Sequence, residues 1–374
     1  MTQVLVAPDA APLAGRLDGW DHLEWWVGNA RSTAHFLMSG FGFECTAYAG
    51  PETGLPDRAS YVLAQGDIRF VVTAGLGPSS PVAAHVLAHG DGLRHLAWRV
   101  DDVAAALDGA TRRGARTVQA PETSADDDGV LVTAAIATYG ATRHLLVDRA
   151  RYDGTFAPGY VATDLPATPL GPPTGLTTID HVVGNVEQGA LDTWVRFYQD
   201  VLGFRELRHF DAEQISTEYS ALRSTVVWDG DRVVMPINEP APGRRTSQIQ
   251  EYLDTYGGPG VQHIALATAD IVATVSALRE RGIRFLAAPA TYYEDAQRRC
   301  PDLAVPWDEL ARLGILVDID AGGHLLQVFT ENVTDRPTVF LEIIQRCGAS
   351  GFGEGNFKAL FEAIEREQAR RGHL

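Results

Sequence analysis

Cysteine is scarce in this chain of 374 residues: Cys45, Cys300 and Cys347 are an odd number, far apart, without the paired spacing of a zinc site or a disulfide framework. That excludes a disulfide-stapled scaffold and suits a reducing, cytoplasmic setting. Positive charge is short as well. Lys and Arg total 31 against 48 Asp and Glu, and a net charge of -17 would repel a phosphate backbone or an anionic lipid surface. Neither nucleic acid nor membrane is an expected partner. No stretch is apolar for the length that a bilayer span needs. Met1 to Leu17 is rich in Ala and Pro but has no basic region followed by a long apolar run, so no signal peptide is expected there. What the chain does have is 45% apolar content over a length greater than one core usually covers. Two domains are expected.

The pattern of elements repeats. Residues 20–29 read as a strand, followed by a helical stretch closing at Ser39-Gly40-Phe41-Gly42-Phe43 and strands near 59–63 and 68–73. A second unit opens at Leu93-Arg94-His95-Leu96-Ala97-Trp98. It enters a helix at Asp101-Asp102, whose carboxylates suit a positive helix N-terminus, and closes at Arg112-Arg113-Gly114. Strands near 131–137 and 144–148 follow. Pro158, Pro166, Pro169, Pro172 and Pro173 then resist regular structure and read as an interdomain connection. Beyond it the pattern returns. Val27-Gly28-Asn29 is echoed by Val183-Gly184-Asn185, and Phe41-Gly42-Phe43 by Leu202-Gly203-Phe204. Leu93 to Ala97 matches Val261 to Ala265, Arg113-Gly114 matches Arg281-Gly282, and His144-Leu145-Leu146 matches His324-Leu325-Leu326. One strand-helix-strands unit used four times implies duplication within duplication. The expected division is a first domain over 17–150, a linker over 151–177 and a second domain over 178–374.

Three stretches of the second half carry chemistry. In Gly260-Val261-Gln262-His263-Ile264-Ala265-Leu266, period two puts Val261, His263 and Ala265 on one face and turns Gln262 away. A lone histidine in such a strand reads as a core residue satisfied by a backbone carbonyl. Ile179-Asp180-His181-Val182-Val183 carries a second strand histidine, however, and Thr338-Val339-Phe340-Leu341-Glu342-Ile343-Ile344 sets one carboxylate in an otherwise apolar strand. A buried Glu must be paired, protonated or on a metal. Two histidines and one carboxylate on separate strands form the set that binds non-haem ferrous iron on one face and leaves other positions open. In the first half His95 stands opposite His263, but His22 is out of step with His181 when the Gly-Asn pairs are superposed, and no lone carboxylate follows 144–148. That half reads as a copy without metal.

These residues resemble the 4-hydroxyphenylpyruvate dioxygenase family. His181, His263 and Glu342 occur with Pro236-Ile237-Asn238-Glu239-Pro240, Ser247-Gln248-Ile249-Gln250-Glu251-Tyr252-Leu253, Leu325-Leu326-Gln327-Val328-Phe329 and Gly351-Phe352-Gly353-Glu354-Gly355-Asn356-Phe357. The resemblance covers nearly the whole chain and is strongest from Ile179 onward. It implies an α+β fold of two vicinal-oxygen-chelate domains, each of two βαβββ modules forming an open barrel-like sheet, plus a C-terminal helix. It implies conversion of 4-hydroxyphenylpyruvate and dioxygen to homogentisate and carbon dioxide, in tyrosine and phenylalanine catabolism. Fe(II) would be held by His181, His263 and Glu342, with no separate 2-oxoglutarate because the substrate carries its own 2-oxo acid. Ser224, Asn238, Gln248 and Gln327 would be the polar groups at the catalytic centre. Phe329 and Phe357 would clamp the ring, with Phe352, Phe340 and Gln262 also meeting substrate. The family forms homodimers or homotetramers.

The tail places Phe357, Leu360, Phe361 and Ile364 at helical spacing, with Glu365, Arg366 and Glu367 elsewhere on the wheel. In the family this helix closes the site; Glu354 stands where the family's motif carries Lys. His85 and His89, one helical turn apart without a Glu between them, read as an exposed pair. Arg244-Arg245 reads as a solvated loop, and Tyr292, Tyr293 and Trp307 lie in an insertion over 287–312. Rival readings are hydroxymandelate synthase on the same substrate, an extradiol catechol dioxygenase lacking identifiable acid-base histidines here, and a metal-free ligand-binding protein of the same fold.

Overall fold

The repeat becomes two eight-stranded sheets in the computed structural model, which describes residues 13–163, 172–213, 215–217 and 219–372. In the first half β1 (Leu17–Trp26), α1 (Ala30–Phe41), β2 (Glu44–Ala49), β3 (Arg58–Gln65) and β4 (Ile68–Gly75) form one module. Helix α2 (Pro81–His89) leads to the next, made of β5 (Gly92–Val100), α3 (Val103–Arg112), β6 (Thr117–Asp126), β7 (Gly129–Ala137) and β8 (Arg143–Tyr152). The second half repeats this with β9 (Leu176–Asn185), α4 (Leu191–Arg196), β10 (Arg205–Phe210), β11 (Ala221–Trp228) and β12 (Val234–Ala241). Helix α5 (Gln248–Tyr256) precedes the fourth module. There β13 (Gly260–Thr268) and α6 (Ile271–Glu280) are followed by inserted α7 (Ala290–Arg299) and α8 (Trp307–Leu313), then β14 (Leu316–Asp320), β15 (Gly323–Phe329) and β16 (Phe340–Cys347). Helix α9 (Phe357–Arg371) closes the described chain.

Both sheets have the same order, β2-β3-β4-β1-β5-β8-β7-β6 and β10-β11-β12-β9-β13-β16-β15-β14, each curled into a half-barrel. Helix starts repeat too: the Asp102 side chain accepts from Ala105 N at the head of α3, and Asp270 accepts from Ala273 N at the head of α6. Sequence periodicity misses β2 and β6. Both strands lie at sheet edges; β6 is almost wholly exposed and has no apolar face to reveal it, and the buried face of β2 is made only of the small residues Cys45, Ala47 and Ala49.

Strand register corrects two of the sequence echoes. His22 stands opposite Ala97 as His181 stands opposite Ala265, so these histidines are equivalent rather than out of step. The Gly-Asn pairs are the false guide: Asn29 caps α1, whereas Asn185 ends β9 opposite Gly260, the place Trp26 takes opposite Gly92. His144-Leu145-Leu146 lies on β8, whose equivalent is β16 and not the β15 that carries His324. Leu145, opposite Ala97, therefore occupies the position that Glu342 takes opposite Ala265.

The halves share one continuous apolar core. The Tyr198 hydroxyl of the second half lies 2.7 Å from His144 Nε2, and His144 stacks on Trp98 at 3.7 Å, all three fully buried. Burial pushes the His144 imidazole down to about 3. The segment after β8 returns to the first sheet, where Phe156 packs on Ala47, Val62 and Val71. Pro166 and Pro169 of the expected linker, and residues 1–12, where no signal peptide was expected, lie outside the described residues.

His85 and His89 are not the exposed pair expected from spacing. His85 is buried edge-on against Trp26, and His89 Nδ1 lies 2.7 Å from the Tyr256 carbonyl, because α2 packs between the halves. Arg244 and Arg245 are exposed, as expected. In the insertion, Tyr292 is buried and its hydroxyl accepts from Val317 N at 2.7 Å while donating to Asn356 Oδ1 at 2.6 Å. The insertion thereby holds the start of α9.

Candidate active site

Three neighbouring strands, β9, β13 and β16, bring His181, His263 and Glu342 to one place. One ligand atom from each falls within 4.8 Å of the other two, and the three residues are buried. Both imidazole Nε2 atoms face the same carboxylate oxygen, Glu342 Oε2, at 3.3 Å from His181 and 3.4 Å from His263. Their Nδ1 atoms are held from behind. His181 Nδ1 lies 2.7 Å from Asp180 Oδ1, and His263 Nδ1 lies 3.0 Å from Gln262 Oε1. With Nδ1–H donated to those oxygens, each ring presents an Nε2 lone pair to the centre, the tautomer a metal ligand needs.

Local backbone irregularity makes this possible. Neighbouring strand residues normally face opposite ways, yet Asp180 and Gln262 each sit at a register shift in the β9–β13 pairing. Such a bulge lets adjacent side chains share a face. The expectation that Gln262 turns away from His263 is thus corrected, because strict alternation ignores the bulge.

The electrostatics favour a cation. Burial alone would lower the His181 imidazole, but the Glu342 carboxylate and the Asp180 hydrogen bond outweigh it and push it up to about 9. Burial raises the Glu342 carboxyl, and the two imidazoles bring it below its ordinary value. Glu342 Oε1 is buried with no hydrogen-bond partner among the described residues, a costly state for a carboxylate oxygen. An ion at the centre would supply what both observations lack. Two imidazoles and a carboxylate on one face match the donor set of a mononuclear metal with open positions.

Beside this centre lies a cavity. It is lined by all twelve residues singled out from the sequence: the three candidate ligands, Ser224, Asn238, Gln248, Gln262 and Gln327, and Phe329, Phe340, Phe352 and Phe357. Ser224 and Asn238 stand opposite each other on β11 and β12. Gln248 opens α5, whose preceding Ser247 accepts from Gln250 N. Gln327 packs so tightly against Gly353 that an added Cβ there would lie 2.1 Å from its amide nitrogen; with φ at +75°, this position requires glycine. Phe352 meets His181 edge-on at 5.5 Å, and Phe340 stacks on His263 at 4.7 Å. Phe210, Ile215, Leu222 and Val226 also line the cavity, and no sequence signal distinguishes such aliphatic and aromatic walls from core. Glu354 is exposed, 3.9 Å from Arg208 Nε. On α9, Leu360 and Phe361 reach the cavity; Glu365, placed elsewhere on the wheel, is buried and accepts from Ser220 Oγ at 2.6 Å.

The first half carries the same positions without the set. Leu145 replaces the carboxylate, and His95 Nδ1 instead lies 2.5 Å from Glu24 Oε2. Glu24 also accepts from Thr73 Oγ1 and Trp26 Nε1.

Residues 178–302 and 21–132 each match the Glyoxalase/Bleomycin resistance protein/Dioxygenase superfamily. The 4-hydroxyphenylpyruvate dioxygenase of Yarrowia lipolytica is 44% identical over 368 residues, covering 95% of this chain and 93% of that protein. The enzyme of that name from Dictyostelium discoideum is 46% identical, covering 96% of this chain and all of the other. Among solved structures, a mutant of 4-hydroxymandelate synthase from Streptomyces coelicolor superposes with a TM-score of 0.84 at 34% identity, over 94% of this chain and 99% of the other. With two βαβββ modules in each of two half-barrels and identity of this extent along nearly its full length, the chain belongs to the 4-hydroxyphenylpyruvate dioxygenase family.

Proposed function

We propose that this protein is a non-haem Fe(II) dioxygenase that converts 4-hydroxyphenylpyruvate and dioxygen to homogentisate and carbon dioxide. The observation that carries the reading is the convergence of two Nε2 atoms and one carboxylate beside an aromatic cavity with amides in its wall. His181, His263 and Glu342 would hold the metal, which when bound supplies the redox chemistry and a chelation point for the 2-oxo acid. The choice of Fe(II) rests on the donor set, two imidazoles and one carboxylate on a single face.

The chain's own groups then bind and orient. Phe329, Phe340, Phe352 and Phe357 offer apolar surface to an arene and exclude water from the centre. Ser224, Asn238, Gln248 and Gln327 supply donors and acceptors for the substrate's polar ends, each of which would cost about 1–3 kcal/mol if buried unpaired. Gln262 orients His263 through its Nδ1 and borders the cavity, so it contributes to both tasks. We assign the halves as a metal-free domain over 17–150, a linker over 151–177 and a catalytic domain over 178–374, in a cytoplasmic homodimer or homotetramer. Among the described residues no helix is long and apolar enough to cross a membrane.

Product analysis tests the reading. The ferrous protein, given 4-hydroxyphenylpyruvate and dioxygen, is expected to release carbon dioxide and homogentisate in equal amounts. Formation of 4-hydroxymandelate would reassign it to benzylic oxidation. Anaerobic addition of the substrate should produce the weak visible charge-transfer band of a chelated 2-oxo acid, and no band would remove the chelation.

A further inference from the structure

Arg346 lies on β16 four residues beyond Glu342 and closes a ring of contacts around His181. Its Nε and Nη2 donate to the two oxygens of Asp180 at 2.7 and 2.8 Å, the parallel fork that fixes a carboxylate in plane. Asp180 in turn accepts from His181 Nδ1. The third arm, Nη1, donates to the Gly351 carbonyl at 2.6 Å, and the guanidinium lies 5.4 Å from the Phe352 ring, which itself meets His181 edge-on. One cation therefore touches both the orienter of a candidate metal ligand and the segment that leads into α9.

The first half contains the same ring without the metal set. Arg149 donates through Nε and Nη2 to Asp21 at 2.6 and 2.8 Å, and through Nη1 to the Phe156 carbonyl at 2.6 Å. Its guanidinium lies 5.3 Å from the Phe156 ring, which meets His22 edge-on at 5.3 Å, and His22 Nδ1 lies 2.7 Å from Asp21. Asp21, like Asp180, sits at a register shift. Since Leu145 takes the carboxylate's place there, the ring does not need a metal to form; its common task is to latch the segment after the last strand onto the sheet. In the second half alone that latch includes a histidine whose Nε2 faces Glu342.

We propose that Arg346 is a positioning residue that couples metal binding at His181 to the seating of residues 349–353, and that Arg149 is its uncoupled counterpart. This rests on the reading of His181, His263 and Glu342 as metal ligands. Fixing the His181 ring from either side holds the other partner: an occupied centre locks the imidazole and so Phe352, and a seated Phe352 keeps Nε2 aimed at the centre. Such coupling is reciprocal by necessity.

The test compares full-length wild type, R346Q, R346K and R149Q, freed of metal and titrated with Co(II), with amide hydrogen exchange followed at 349–353. In wild type, Co(II) is expected to bind one per chain and to slow exchange in that segment. R346Q should weaken Co(II) binding by about 10–100-fold and abolish the metal-dependent slowing, while R149Q lowers thermal stability but leaves Co(II) affinity within about twofold. R346K keeps the charge but loses the fork; it should follow R346Q and carries the same readout should R346Q fail to fold. Unchanged affinity and slowing in the Arg346 variants would overturn the coupling. So would an equal loss of affinity in R149Q, since the effect would then be general destabilisation. Wild type that takes up no Co(II) would instead overturn the metal assignment, and the coupling with it.

Discussion

Glu342 and Leu145 occupy one structural position in two copies of the same sheet, and the pair isolates what a single carboxylate contributes. The first half demonstrates that this strand position accepts an apolar residue of similar size. Glu342→Leu should therefore fold, lose metal uptake and abolish turnover. Metal analysis and thermal melting check both halves of that statement; retained activity would refute the ligand role. At His144 the physics is titration. Its imidazole is held near 3 in the folded chain against about 6.5 when unfolded, so between those values the unfolded state binds the extra proton. Stability from this group is complete above pH 6.5 and falls by about 1.4 kcal/mol for each unit of acidification within the window. His144→Gln keeps a partner for the Tyr198 hydroxyl but does not titrate, so its denaturant midpoint should fall less steeply from pH 6.5 toward 4 than that of wild type.

Elements decide which residues meet. The alternation of β13 assigns His263 and Gln262 to opposite faces, and the shift at Gln262 puts them in contact. Sequence periodicity describes an ideal strand, and a bulge leaves no mark in composition. Helix α9 was more legible: Phe357, Leu360, Phe361 and Ile364 recur at helical spacing, and the first three line the cavity. Its buried Glu365 was not, because the partners Thr217 and Ser220 come from a loop about 145 residues earlier in the chain. Phe357 sits at the first turn of α9, against Phe210 at 5.1 Å. Phe357→Ala should raise the Michaelis constant by about tenfold, equivalent to about 1.4 kcal/mol of lost apolar contact, or uncouple oxygen consumption from product. Parallel oxygen-electrode and product measurements distinguish these, and unchanged kinetics would remove Phe357 from the site.

For the whole molecule, duplication supplies its own control. His95 is the counterpart of His263, but its Nδ1 serves the partly buried Glu24 carboxylate, whose pKa it and Thr73 help bring down to about 2 against the opposing effect of desolvation. His95→Ala should cost about 2 kcal/mol of stability by leaving that carboxylate short of a donor, while metal stoichiometry stays at one per chain. Loss of metal would assign the first half a role in the site. Residue order alone made the fourfold unit legible, because apolar period, capping Asp and helix-ending Gly are local signals that survive duplication, whereas the candidate pocket residues came from the family resemblance. The tertiary structure decided which copies truly correspond. His22 answers to His181 and Leu145 to Glu342 only when strands are counted across the sheet, since a bulge or a shifted motif changes spacing along the chain but not hydrogen-bond register. It also decided the Asp180–Arg346 ring, whose members stand 166 residues apart and meet through pairing that no local pattern encodes.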